Sequence, residues 1–280
     1  MSVATAVDAA AIETIEARAW ADLVAACPPP HAASIGLRAR WLGAALVLQC
    51  PGGGFDRGLF NRPIGLGVVE PASRADVAAI VAGFEAAGVG RSMIVSQPQC
   101  RPDAYLDWLA ELGLEARGAW DRVVRGGAPL ATTAGGETAR GFAVSPVDAG
   151  TVDEWIDLLV GVYRVDAGPW LRALHGRPGW RHYLATEDGT PVAARSMYLP
   201  GPGATAFLAI DGPVPGVMTA DYEPDAAILA RIVEDGLRHG ARGFAADIEA
   251  PSPARDTPAY GTFARLGFTV PYTRTHHMGR

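Results

Sequence analysis

"YEPDAAILARIVEDGLRHGARGFAADIEAP" (Tyr222–Pro251) decides how the chain is read, because the chain says it twice. The earlier copy is "VEPASRADVAAIVAGFEAAGVGRSMIVSQP" (Val69–Pro98). Glu70-Pro71 aligns with Glu223-Pro224, Val81 with Val233, Gly88 with Gly240 and Pro98 with Pro251, at an offset of 152 or 153. A proline just inside a helix start suits the first turn, where its missing N–H has no partner to lose. Apolar residues then recur at helical spacing, Val77, Ile80, Val81 and Phe84 against Ile228, Leu229, Ile232, Val233 and Leu237. Gly88 and Gly240 stand where a left-handed cap would stop each helix.

A short apolar strand follows in each copy ("SMIVSQP", "GFAADIEAP"), then a second helix ending in Leu-Gly, then a last strand. "LAELGLEARGAW" (Leu109–Trp120) matches "FARLGFTVPYTR" (Phe263–Arg274) in that stretch. The organisation is β-α-β-α-β, duplicated. The first half opens with a long helix, about Val7–Ala26, and strands around "IGLRARWLGAALVLQC" and "RPIGLGVV". In the second half "TVDEWIDLLVGVY" predicts a helix capped by Thr151, with Glu154 at capping-box spacing. "HYLATEDGTPVAARSMYL" predicts a hairpin turning at Asp188-Gly189. Residues 1–130 and 142–280 are therefore expected as two α/β domains, joined by an aperiodic Gly/Thr/Ala linker at 131–141.

The composition excludes several classes. Of 280 residues 49% are hydrophobic and 19% charged, which marks an ordered globular chain. A net charge of −6 and a pI near 5.5 give no general attraction to nucleic acid or anionic lipid, and no basic cluster stands out in the sequence. No stretch nears the ~20 apolar residues that span a bilayer, and the N-terminus lacks the basic region of a signal peptide. Cys27, Cys50 and Cys100 are odd in number and widely spaced, which points away from disulfides and cysteine metal sites and toward a cytoplasmic protein. GxSxG, P-loop and zinc-finger spacings are absent.

The element order, the Leu-Gly-Phe near the C-terminus and the "YTR" after it resemble the GCN5-related N-acetyltransferase (GNAT) superfamily, in its tandem two-domain form. The segments that carry the likeness are "FNRPIGLGV" (Phe60–Val68), "LHGRPGWRHYLATEDGTPVAARSMYL" (Leu174–Leu199) and "YGTFARLGFTVPYTR" (Tyr260–Arg274). The resemblance implies two tandem GNAT-like domains, each a mixed central sheet flanked by helices. It implies a V-shaped cleft where the fourth and fifth strands splay, with acetyl-CoA or another acyl-CoA as cofactor and a first domain that is structural.

The family's Gly/Arg-rich pyrophosphate loop falls here on "TADYEPDAA", so Thr219, Ala220 and Asp221 are the cofactor-binding positions by resemblance. That stretch has neither Gly nor Arg and carries Asp221, Glu223 and Asp225 instead. Acidic residues at a helix N-terminus stabilise the helix through its dipole, but they repel a pyrophosphate. Opposed charges at about 4 Å are worth ~1 kcal/mol in water and several times more in a drier site, so reversing one sign is costly. The equivalent loop of the first half is "VEPASRADV", with Ser73 as an N-cap and Arg74 as its single cation.

The family's thiolate-protonating Tyr falls on Phe263, which has no hydroxyl, and its Asn falls on Asp256. Tyr260, one turn earlier, is either a substitute acid or a half-buried core residue. His175 and His182 bracket "GRPGW", near Trp170 and Trp180. With Asp211, and with Asp247 or Glu249, they are candidates to line the cleft as general bases; the alternative is hydrogen-bonded surface histidines. Asp247 and Glu249 share one strand face, and read either as a pair that attracts a cationic amine or as a solvated strand end. Tyr222, Trp170, Trp180 and Asp211 are the substrate-side candidates. No metal site is expected, and His276-His277 reads as a disordered tail.

Two functions follow as expectations. One is acyl transfer from acyl-CoA to a small amine, with the second domain catalytic and a homodimer as an admissible assembly. The other is a GNAT fold that has given up CoA, as a repurposed enzyme or a small-ligand-binding pseudoenzyme. A transferase using aminoacyl-tRNA on the same fold lacks the basic stripe that it would need. No nucleic-acid or membrane partner is expected.

Overall fold

Asp8 opens the first helix, α1 (Ala9–Ala26), by accepting a hydrogen bond from the Ala11 N–H at 3.0 Å. The structure, a computed structural model, describes residues 8–130, 142–213, 223–251 and 258–279. A short α2 (Pro29–Ile35) ends at Gly36, whose φ of 67° is the left-handed cap. Three strands follow, β1 (Arg38–Leu42), β2 (Ala45–Gln49) and β3 (Pro63–Ile64), and pair antiparallel in that order as a small sheet. The first copy of the repeat then runs α3 (Arg74–Ala86), β4 (Ile94–Ser96), α4 (Tyr105–Glu111) and β5 (Glu115–Gly126).

The second half begins with β6 (Phe142–Pro146), α5 (Val152–Tyr163) and α6 (Gly168–Leu174). The hairpin of β7 (Trp180–Glu187) and β8 (Thr190–Tyr198) turns where expected, with positive φ at both Asp188 (49°) and Gly189 (78°). After β9 (Thr205–Pro213) the second copy runs α7 (Glu223–Arg238), β10 (Gly243–Glu249), α8 (Pro258–Arg265) and β11 (Thr269–Met278). The two copies therefore fold alike, element for element.

The halves share one sheet. Its order is β4-β11-β5-β10-β9-β8-β7-β6. β5 from the first half lies between β10 and β11, and β11 from the second half pairs with both β4 and β5. Each half thus supplies a strand that the other would otherwise lack, which removes two open edges. Only β9 and β10 run parallel within the sheet.

Two apolar layers cover it. On one face Ile12, Ile15, Trp20 and Leu23 of α1 join Trp155 and Leu159 of α5 over Leu184, Ala194 and Phe207. On the other, Ile228, Leu229, Ile232 and Val233 of α7 join Phe263 of α8 over Val123, Met197 and Phe244. Full burial of each such large side chain contributes about 1.5–3 kcal/mol. Gly236 lets α7 sit close, since a Cβ there would stand 2.5 Å from the Phe244 ring.

Three local expectations change, and two short helices are added to those the sequence predicts. Thr151 does not cap α5, because its hydroxyl instead accepts from the Asp148 N–H at 3.0 Å in the preceding turn. Pro71 lies ahead of α3, which starts at Arg74 with Ser73 as its cap. The short helices α2 and α6 have too few turns to show a period in sequence. His276 and His277 are no tail: they belong to β11, with His277 Nε2 2.8 Å from the Ser96 hydroxyl and His276 edge-on to Trp120 at 4.2 Å.

Candidate functional site

β9 and β10 pair only through Thr205, Ala206 and Phe207 opposite Gly243, Phe244 and Ala245, and then part. The chemistry of the molecule gathers around this opening. Arg195 on β8 reaches beneath the first turn of α7. Its Nε and Nη2 donate to the two oxygens of Asp225 at 2.6 and 3.0 Å, and both side chains are buried. The guanidinium also lies 5.5 Å over the Phe263 ring and 3.8 Å from Asp211 Oδ2. Burial works against the charge of Arg195, but Asp225 and Asp211 outweigh it and raise its pKa further. The acidic turn therefore holds an internal counter-ion.

Tyr163, the last residue of α5, donates its hydroxyl to the Asp211 carbonyl and to Asp211 Oδ1 at 3.1 Å. Burial, and then the Asp211 charge, push the phenol well above its usual range, so it stays protonated. The Asp211 side chain remains 54% exposed at the rim. Arg195, Asp211 and Asp225 together leave one negative charge unmatched. Beside Tyr163 lies an apolar cavity of about 60 Å³, walled by Trp20, Phe55, Phe60, Trp170, Leu159 and Ile210. Phe55 and Phe60 meet edge to face at 4.9 Å, and Trp170 is fixed by donating its indole N–H to the Leu23 carbonyl at 2.7 Å.

Deeper, between α1 and the exchanged strands, six charged side chains form one buried network. Glu16 binds Arg62 at 2.8 Å and Arg274 at 3.0 Å, with a further contact to Arg122. Glu13 binds Arg122 at 3.0 Å and Arg274 at 3.3 Å, and it accepts the Tyr272 hydroxyl at 3.2 Å. Asp247 binds Arg274 at 2.6 Å and Arg122 at 3.3 Å. Three carboxylates face three guanidiniums, so the charge closes. Burial alone would raise the Glu16 carboxyl, but Arg274, Arg122 and Arg62 hold it well below the usual carboxylate range.

The residues singled out in sequence do not form one constellation. Asp211 lies on β9 beyond its parting from β10 and Trp170 walls the apolar cavity, while Asp247 is committed to two arginines. Glu249 is exposed at the end of β10, and Tyr260 is 42% exposed on α8. His175, Trp180 and His182 stand together at the start of β7. His182 stacks on Trp180 and holds the Ser196 hydroxyl at 2.8 Å; burial, and then His175, push it down to about 4. Thr219, Ala220, Asp221, Tyr222 and Asp256 lie outside the described residues. Tyr163 and Arg195 were missed. A terminal helix tyrosine and a strand arginine carry no sequence pattern that marks them.

No protein-family model and no curated protein matches the sequence. Solved structures do. A GCN5-related N-acetyltransferase from Kribbella flavida superposes with a TM-score of 0.63 at 16% identity, over 96% of this chain and 95% of that one. A second, from Sphaerobacter thermophilus, gives 0.56 at 13% identity over 95% and 92%. A tandem GNAT protein from the clavulanic acid biosynthesis pathway gives 0.53 at 15% identity over 74% and 69%. The fold is that of the GCN5-related N-acetyltransferases.

A GNAT fold implies acyl-CoA, and the described part of its expected cradle does not fit that group. In the first turn of α7 Pro224 has no N–H to offer a phosphate, and Asp225 adds a carboxylate rather than a donor to that turn. Arg195, the cation that reaches that turn from β8, already spends two donors on Asp225.

Proposed function

We propose that this chain uses the GNAT fold to bind a small amine with an apolar end, without the conventional grip on CoA. The observation that carries the proposal is the Arg195–Asp225 pair, which ties the first turn of α7 to β8 and engages its carboxylate. The occupant's chemistry comes from the neighbouring cavity. Its aromatic walls suit an apolar or cation-bearing group, and Asp211, hydrogen-bonded to the wall residue Tyr163, supplies the unmatched negative charge. The second domain, residues 142–280, holds this site together with α1 and the Phe55–Phe60 segment of the first domain, residues 1–130.

Thermal melts with a series of short alkyl primary amines, each against its neutral alcohol, test the proposal. The amines should raise Tm and the alcohols should not, and Asp211→Asn should erase the difference. Equal effects of amine and alcohol would reject the charge assignment.

A second reading, acyl transfer from acyl-CoA to such an amine, is favoured by one observation. The β9 backbone from Leu208 onward is unpaired on its β10 side among the described residues, as a pantetheine arm along that strand would require.

A further inference from the structure

At the far end of α7 the edge of the large sheet opens a second cavity, of about 380 Å³. The β6–β7 ladder ends at Pro146–Tyr183, with one further bond from the Val147 N–H to the His182 carbonyl, so Trp180 and Arg181 extend past it and leave a notch. Arg181 lines it from β7, Arg231, Asp235 and Arg238 from α7, His239 from just beyond that helix, and His175 from just after α6. Asp235 is buried and pins both helix arginines through one oxygen, Arg231 Nε at 2.9 Å with Arg238 Nη2 beside it. The His239 ring is held by its Nδ1, 2.7 Å from the Asp235 carbonyl. Arg181 is half-buried and has no ion-pair partner among the described residues. Three guanidiniums against one carboxylate leave two positive charges over, on a chain whose net charge is −6.

We propose that this cavity binds the phosphate-monoester group of a small molecule. Guanidinium forks match a tetrahedral oxyanion with paired donors, and a dianion matches the surplus of two charges. The remaining donors of Arg231 and Arg238 are already oriented by Asp235, so little side-chain freedom is left to lose on binding. His175 and His239 add ring nitrogens at the rim. The site is independent of the cleft beneath Asp225, which lies at the opposite end of the same helix.

Calorimetric titration with sodium phosphate and with phenyl phosphate, in sodium chloride of fixed ionic strength, tests the assignment. One saturable site per chain is expected, with phenyl phosphate binding at least as tightly as phosphate. Arg181→Gln should weaken both at least tenfold while leaving the ligand-free Tm within a few degrees. Arg238→Gln, at a more exposed side chain, is the second variant and should weaken binding in the same direction. Heats that match those of added chloride, or affinities unchanged in both variants, would overturn the proposal. Co-sedimentation with phosphatidic acid vesicles but no binding of phenyl phosphate would overturn the small-molecule assignment in favour of a lipid headgroup.

Discussion

Arg195 on β8 and Asp225 in α7 bind each other through two hydrogen bonds, of 2.6 and 3.0 Å, where the fold family offers its helix to a ligand. The pair is buried on both sides, so its removal is asymmetric. Arg195→Met alone should cost about 3–5 kcal/mol, because it strands the Asp225 charge in the interior. Arg195→Met combined with Asp225→Leu should recover most of that loss. Urea denaturation of both variants reads the difference, and a double variant no more stable than the single would contradict it.

The six-residue network beneath α1 predicts a stronger contrast. Glu16→Gln leaves Arg62, Arg122 and Arg274 short of one counter-charge and should cost about 3–5 kcal/mol. Glu111→Gln breaks the exposed Arg74–Glu111 pair and should cost under about 1 kcal/mol. Similar unfolding midpoints for the two variants would mean that the buried network is not a keystone of the fold.

Stability should fall on acidification sooner than carboxylates alone would make it. Burial pushes both His182 and His276 down to about 4, with His175 adding to the first shift and Arg274 and Arg62 to the second. Between pH 6.5 and pH 4 the unfolded imidazoles take up protons that the folded ones refuse. Each histidine's contribution is therefore complete above pH 6.5 and is lost as pH falls toward 4, at about 1.4 kcal/mol per pH unit. Denaturation midpoints at pH 7.5, 6.0 and 5.0 check this, and His276→Gln should flatten the slope. A midpoint constant from pH 7.5 to 5.0 would contradict it.

The exchanged strands predict that neither half stands alone. Residues 1–130 lack β11 beside β4, and residues 142–280 lack β5 beside β10. Expressed separately, each should show weak tertiary signal in near-ultraviolet circular dichroism, and mixing them should restore it. Two independently native halves would refute the shared sheet.

The repeat was legible because α3 and α7 carry apolar residues at helical spacing and both end at a glycine with positive φ, Gly88 and Gly240. The hairpin was legible because only residues tolerant of positive φ fit its turn. The strand exchange was not, since period-2 patterning marks which face of a strand is buried and never which neighbour it takes. The basic cavity was hidden for a related reason. Arg181 is fifty residues from Arg231, and they meet only once β7 and α7 pack. Asp247 looked like a cleft carboxylate because its strand is otherwise apolar, and the cations that claim it, Arg122 and Arg274, arrive from β5 and β11.

One calorimetric titration, of the whole chain with acetyl-CoA and desulfo-CoA at low salt, tests the loss of the CoA grip most directly. No saturable binding is expected up to millimolar ligand, because the first turn of α7 meets the pyrophosphate with a proline and a paired carboxylate. Micromolar binding of either compound would contradict that loss and return the protein to conventional acyl transfer.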